Sequence, residues 1–371
     1  MPEQELESIR QEIADVDRDI FKLIKKRLNL SLRVGEIKRR LKLSVKDYRI
    51  EKIVMERNRE YARSLNLYEE LSDQLSRMLI YFSVQIQDEL LTKISDKTER
   101  DSKNLLIIGG FGKMGQWFAK FFHSFNYQIH IFDNSDIDSS QIGFPFQRIT
   151  KLDQEAIQKD IIIIATPIEY CAQYINQLID LKCQALVFDI CSLKSPFLEE
   201  LMQAAESGLK ICSIHPMFGP DVQVLSGRNI IVCDVGHVQG FLETQKLFID
   251  TTASLVSLPL VEHDHLMSIV LGLSHLINIL FAQTLKKSNF NFSLLNKVAS
   301  TTFQSQLEVT RPIVNENVEL YFQIQSYNKF SKKIYDLLRR ELKVLIGNIE
   351  NKRQDLFVQE LQSSQKYLEQ E

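Results

Sequence analysis

The chain has 371 residues, 44% of them hydrophobic and 25% charged, the balance of a soluble globular protein too long for a single core. Its net charge of −3 arises from 45 basic and 48 acidic residues, well mixed along the chain, which argues against nucleic acid as a partner. The N-terminal "MPEQELESIRQE" has no apolar signal core, and runs such as "IIIIA" (161–165) are far too short to span a bilayer, so a cytoplasmic protein without a membrane segment is expected.

Over residues 5–43 apolar residues fall at Leu6, Ile9, Ile13, Val16, Ile20, Leu23, Ile24, Leu28, Val34, Ile37 and Leu41. Steps of three and four make one helix with an apolar stripe. At 1.5 Å per residue it is about 57 Å long, wider than a compact domain, so its stripe is expected to pack on another chain. Two further helical stretches, 47–64 and 67–95, complete an all-α region over 1–94, and the polar "SDKTERDSKN" (95–104) reads as a linker.

The character changes at Leu105. The runs "LLIIG" (105–109), "QIHIF" (128–132), "IIIIA" (161–165), "ALVFDI" (185–190), "KICSI" (210–214) and "NIIVC" (229–233) read as strands separated by helical stretches. Over 105–262 this alternation implies an α/β domain with a parallel sheet and crossovers. Residues 263–371 contain one Pro and two Gly and no strand signal, and form a second all-α region. The five cysteines (171, 183, 191, 212, 233) lie in or beside apolar segments without a CxxC pair and read as reduced core residues.

"LLIIGGFGKMG" carries Gly110-x-Gly112-x-x-Gly115 between a strand and a helix. In such a turn the first Gly makes the bend, the second lets the backbone approach a pyrophosphate, and the third lets helix pack on strand. The helix N-terminus, with Lys113 and Met114 in its first turn, would receive the phosphates. Asp133 ends the next strand, 23 residues after Gly110, where a carboxylate accepts from a ribose 2′-hydroxyl and repels a 2′-phosphate. The cofactor expected is therefore NAD, with Thr166 and Pro167 ending the third strand beside it.

In "SIHPMFGPD" (213–221), His215 follows a strand, at the edge where open α/β sheets bind ligands. A neutral imidazole there can take or polarise a hydroxyl proton while hydride leaves the carbon. The cluster Glu262, His263, Asp264 and His265 has metal-ligand residue types, but adjacent helical residues point in different directions, so no metal is expected.

The motifs "GGFGKMG", "DICSLKSP", "HPMFGPD" and "EHDHLM…LSH", in this order, resemble prephenate dehydrogenases. With the helices in front of them, nearly the whole chain is similar to the bifunctional chorismate mutase–prephenate dehydrogenases of tyrosine biosynthesis. The resemblance implies three parts: a three-helix mutase domain, a Rossmann-type α/β domain and an all-α dimerisation domain. It implies rearrangement of chorismate to prephenate, then oxidative decarboxylation of prephenate with NAD⁺ to 4-hydroxyphenylpyruvate. In that chemistry His215 polarises the C4 hydroxyl, Ser192 hydrogen-bonds the hydroxyl and the imidazole, and His263 and His275 line the substrate pocket. Arg311, in "LEVTRPI", is the candidate for a substrate carboxylate, although its spacing from "QLE" is short and Pro312 follows it. A homodimer and feedback inhibition by tyrosine are also implied.

The rearrangement needs no nucleophile, metal or cofactor, only a pocket that fixes a folded dianion and stabilises charge on the ether oxygen. Arg27 and Lys38 lie eleven residues apart on one helix face, whereas Arg10, seventeen residues before Arg27, could serve only a partner's pocket. By resemblance, Arg10 (in trans) and Arg27 hold carboxylates, and Lys38 and Gln87 donate to the ether oxygen. Glu51 and the Asp47 backbone take the hydroxyl, and Ser83, one turn before Gln87, assists a carboxylate. Two positions depart from the family pattern: Gln87 stands where Glu is usual, and Ile50 where Arg precedes Glu51. The second departure admits an alternative, a dehydrogenase for prephenate or arogenate whose mutase domain serves only dimerisation or regulation.

Overall fold

The structure, a computed structural model, describes residues 2–40, 48–91, 103–135, 142–315 and 317–369. Two compact units are present: Met1–Ser192 with Phe197–Leu260, and Leu193–Pro196 with Val261–Glu371.

The first unit opens with α1 (Pro2–Arg40), α2 (Tyr48–Ser64) and α3 (Glu69–Leu91). Helices α1 and α2 both pack on α3. Arg59 of α2 grips Asp73 of α3 with both guanidinium arms, at 2.7 and 2.8 Å, and Asn58 donates to Ser76. The apolar stripe of α1 is left exposed, with Ile13 56% and Val16 59% accessible. The linker read over 95–104 lies outside the described residues up to Ser102, and Asn104 already opens a strand.

The rest of this unit is one eight-stranded sheet, ordered β3-β2-β1-β4-β5-β6-β7-β8. Its strands are β1 (Asn104–Ile108), β2 (Gln128–Phe132), β3 (Gln147–Ile149), β4 (Ile161–Ile164), β5 (Leu186–Asp189), β6 (Ile211–Pro216), β7 (Asn229–Asp234) and β8 (Ser254–Pro259). The helices between them are α4 (Lys113–Ser124), α5 (Ile168–Asp180), α6 (Leu198–Glu206) and α7 (Val238–Lys246). The first six strands are parallel, so ligands belong at their C-terminal edge, around the β1–β4 order reversal.

Two features depart from the expected all-parallel sheet. Strand β7 runs antiparallel to β6, because the intervening 217–228 folds as turns and contains no crossover helix to carry the chain back. Strands β3 and β8 were not legible: β3 has three residues, and β8 ("SLVSLP") is a largely exposed edge strand without a continuous apolar run. The core is built from the isoleucines of β1 and β4 and an aromatic stripe on α4, where Phe118, Phe121 and Phe122 pack near Phe188 and Phe248.

The second unit is helical. After α8 (Leu260–Met267), residues Ser268–Leu273 form a π-helical turn that runs into α9 (Ser274–Lys287). Then follow α10 (Phe292–Lys297), α11 (Thr301–Asn315), α12 (Val318–Tyr327), α13 (Ser331–Glu350) and α14 (Gln354–Leu368). The run Leu260–Lys287 is 28 residues long and, by length and composition alone, apolar enough to cross a membrane.

Candidate active site

The glycine-rich turn joins β1 to α4. The residue that needs glycine for its backbone is Gly109, at φ +82°, where a Cβ would stand 2.8 Å from the Ala165 carbonyl oxygen. The bend expected of Gly110 therefore belongs one residue earlier, and Gly110 is small because Ile131 presses on it. Gly115 lies against the Gly109 and Gly110 backbone, which brings α4 onto the turn. Gly112 caps α4, and Lys113 and Met114 begin it. Asp133, just past β2, accepts from the Phe111 N–H at 2.9 Å and from the Ser135 N–H and hydroxyl, so its carboxylate braces the turn. Thr166 and Pro167 follow β4, with the Thr166 hydroxyl 3.7 Å from the Cys171 thiol. All five cysteines are free and buried. A turn with no room for Cβ atoms, ending on an open helix N-terminus, fits a dinucleotide pyrophosphate.

Ser192 and His215 lie along the same sheet edge. Strands β5 and β6 are paired in parallel, with Asp189 opposite Ser213. Ser192 comes three residues after Asp189, just past β5, whereas His215 is the penultimate residue of β6 and not a residue after it, so both lie at the C-terminal edge of neighbouring strands. His215 is 4% exposed and faces Ile231 across the antiparallel pair, while Ser192 is partly accessible.

In the helical unit, His263 and Asp264 are buried whereas Glu262 and His265 are exposed, so these four side chains do not converge. Asp264 is a hub that its sequence context did not reveal. Its carboxylate accepts from the Lys194 N–H (2.9 Å), from the Ser195 N–H (2.6 Å) and from His263 Nδ1 (2.7 Å). Burial pushes this carboxyl up, but the hydrogen bonds from His263 and Ser195 outweigh it and hold it below the usual carboxylate range. It thereby anchors the segment that directly follows Ser192. His275 sits in the first turn of α9, its ring edge-on to Tyr321 at 4.7 Å. Just before it, the π-helical turn presents the Gly272 carbonyl to the Gln325 amide. Arg311 is not brought to this place: it is exposed on α11, and the residues of α11 that reach α9 are Gln306 and Thr310, both bonded to Asn278.

Among the helices of the first unit, Arg27 donates to the Leu79 carbonyl (2.8 Å) and the Ser83 hydroxyl (2.7 Å), with Ser31 3.0 Å from the same hydroxyl. Burial, and then the charge of Arg57, push the Arg27 guanidinium below its ordinary value. Arg57 is a second cation that the sequence reading passed over, and two such charges suit a dianion. Lys38 is partly buried three turns along α1. Arg10 is exposed, 3.6 Å from Glu7. Asp47 and the side chain of Gln87 lie outside the described residues. The Glu51 carboxylate accepts from the Ser226 N–H (3.2 Å) and the Thr252 hydroxyl (2.6 Å). Ile50 is half-exposed beside it.

Three family models match successive parts of the chain: chorismate mutase type II over residues 9–88, the prephenate dehydrogenase nucleotide-binding domain over 123–245, and the prephenate dehydrogenase dimerization domain over 260–363. The T-protein of Enterobacter agglomerans is 27% identical over 327 residues, covering 86% of this chain and 81% of that protein. The T-protein of Haemophilus influenzae is 24% identical over 86% of this chain and 80% of its own. In fold, the chain is similar to the A. aeolicus prephenate dehydrogenase solved with hydroxyphenyl propionate and NAD⁺, with a TM-score of 0.57 at 18% identity, over 73% of this chain and 98% of that one. With all three domains matched in order, the chain belongs to the family that joins a type II chorismate mutase to a prephenate dehydrogenase.

Proposed function

We infer that the protein rearranges chorismate to prephenate and oxidatively decarboxylates prephenate with NAD⁺, giving 4-hydroxyphenylpyruvate, CO₂ and NADH. The observation that carries the dehydrogenase reading is the alignment of the glycine turn, Ser192 and His215 along one edge of the sheet. NAD⁺ supplies the hydride acceptor. His215, entering as neutral imidazole, takes the C4 hydroxyl proton as hydride leaves C4, and ring aromatisation drives loss of the carboxylate as CO₂. Ser192 orients hydroxyl and imidazole, and Asp264 fixes the chain next to Ser192. His263 and His275 are the helical unit's candidates for substrate contact. The exposure of Arg311 leaves it the weakest of the proposed substrate ligands.

For the mutase, Arg27, Ser83 and Lys38 are the carboxylate and ether-oxygen ligands, with Gln87 as a further donor and Arg10 supplied by a second copy. A homodimer would cover the exposed stripes of α1 and of Leu260–Lys287. Tyrosine, which shares the product's ring, is expected to compete with prephenate.

NADH formation from chorismate plus NAD⁺, run beside prephenate plus NAD⁺, tests the reading. NADH from both, with chorismate consumed far faster than it rearranges unaided, is the expected result. NADH from prephenate alone would favour the second reading, a dehydrogenase with an inactive mutase module, to which Ile50 and the engagement of Glu51 point. The ratio of kcat/KM for prephenate and arogenate fixes the substrate.

A further inference from the structure

The segment Met217–Arg228 leaves β6, the strand that carries His215, and leads into β7. Its inner side rests on α4: the Trp117 indole N–H donates to the Val222 carbonyl at 2.9 Å, and Phe218 packs on the Trp117 ring at 5.0 Å. Its far end is held from the mutase helices. The Ser226 N–H donates to the buried Glu51 carboxylate, which also accepts from Thr252, two residues before β8. Next to it, Gly227 adopts φ +71° directly under Arg77 of α3, so close that a Cβ there would stand 2.8 Å from the guanidinium. On the same end of α2, Lys52 donates to the Ile249 carbonyl (3.1 Å), and Tyr48 enters the aromatic core formed by Trp117, Phe121 and Phe125.

We propose that the N-terminal end of α2 is a docking surface for the dehydrogenase, on which Glu51 acts as a positioning residue that fixes the loop leaving the His215 strand. The carboxylate expected to read the hydroxyl of the mutase substrate thereby also engages the dehydrogenase fold. A carboxylate is suited to this post, because loop N–H and threonine hydroxyl are both donors and a buried acceptor with charge binds them more strongly than a neutral one. The loop carries the "MFGPD" residues that follow His215, so loosening its far end is transmitted to the side chains beside the imidazole. Dehydrogenase efficiency then depends on a residue of the mutase helices even when prephenate is supplied directly.

The inference rests on the dehydrogenase reading above, and the test separates the two. Full-length wild type, Glu51→Ala, Glu51→Gln and Thr252→Val are assayed with prephenate and NAD⁺, and amide exchange at Ser226 is followed by NMR or mass spectrometry. Glu51→Ala is expected to raise the KM for prephenate about fivefold with a smaller change in kcat, and to speed Ser226 exchange about thirtyfold. Glu51→Gln, which keeps an acceptor oxygen, recovers most of both losses. Thr252→Val, which alters only the dehydrogenase side of the contact, shifts both in the same direction by a smaller factor. Ser226 exchange and the prephenate KM unchanged in Glu51→Ala and Thr252→Val would overturn the proposal. Failure of the wild type to form NADH from prephenate would overturn the functional reading, while exchange at Ser226 would still decide the docking. If Glu51→Ala does not fold, Thr252→Val decides both readouts.

Discussion

Asp264 collects two main-chain N–H groups and the His263 imidazole in a place with almost no solvent. Its carboxyl is held below its unfolded value, so it stabilises the fold above about pH 4 and that contribution is lost as the pH falls through the lower folded value. Asp264→Asn leaves one of these donors facing an amide N–H₂. It is expected to cost about 2 kcal/mol in denaturant unfolding and to remove the acid-dependent part of stability. A variant with unchanged stability and unchanged pH profile would show that the carboxylate is not an anchor. Gly109→Ala places a side chain at φ +82° and against the Ala165 carbonyl. A loss of about 1–2 kcal/mol from the backbone alone is expected, together with at least tenfold weaker NAD⁺ binding by fluorescence titration. Gln87 leads to a different kind of test. An amide donates at any pH whereas a glutamic acid must be protonated, so the mutase rate is expected to stay level from pH 6 to about pH 9, and Gln87→Glu to fall steeply over the same range. His215 and the glycine turn were proposed from residue type and position, and Ser192 from the resemblance of its motif. The partners of Asp264 and Glu51 were not legible, since each is a contact between residues about 70 and 175 apart in sequence.

At the level of elements, the strongly periodic segments were the legible ones. Helix α1 was expected over 5–43 and is described over Pro2–Arg40, and every long apolar strand run became a strand. What failed was direction and the edges. Nothing in "NIIVC" states that β7 runs antiparallel; that follows from a loop without a crossover helix. The exposed stripe on α1 makes a prediction of its own. Ile9, Ile13, Val16 and Ile20 are all about half accessible, along a helix against which, among the described residues, only α3 packs by more than slight contact. If a second copy covers the stripe, Ile13→Asp with Ile20→Asp will shift sedimentation from dimer toward smaller species. The same change will lower mutase kcat/KM by more than a hundredfold if Arg10 is supplied to the pocket by that second copy, as proposed. A double variant that sediments and catalyses like wild type would mean that the stripe is covered by something else.

At the scale of the molecule, composition and motif order laid out three successive regions with a linker over 95–104, but gave no sign of what the helices in front pack on. The packing of the first unit supplies that contact. Tyr48, at the start of α2, is 3% exposed and belongs to the same buried cluster as the sheet and α4. Its ring lies 4.9 Å from Phe121, with Phe125 stacked at 6.2 Å and Trp117 tilted at 6.5 Å. Arg49 adds a cation over the Phe125 ring at 5.0 Å. A single aromatic anchor of this sort, with the Glu51 contacts beside it, is strong enough to make two regions melt together, because emptying a buried aromatic site costs about 3–5 kcal/mol. In wild-type protein α1–α3 and the sheet are therefore expected to unfold in one calorimetric transition. Tyr48→Ala should split off an earlier transition for the three helices, visible as loss of helical circular dichroism at least 10 °C below the sheet's melting, with roughly one Tm shift of that size following from about 3 kcal/mol in a domain of this length. Were the helices to melt separately already in the wild type, the aromatic anchor would be a contact without cooperativity, and the dehydrogenase would not sense the mutase through it.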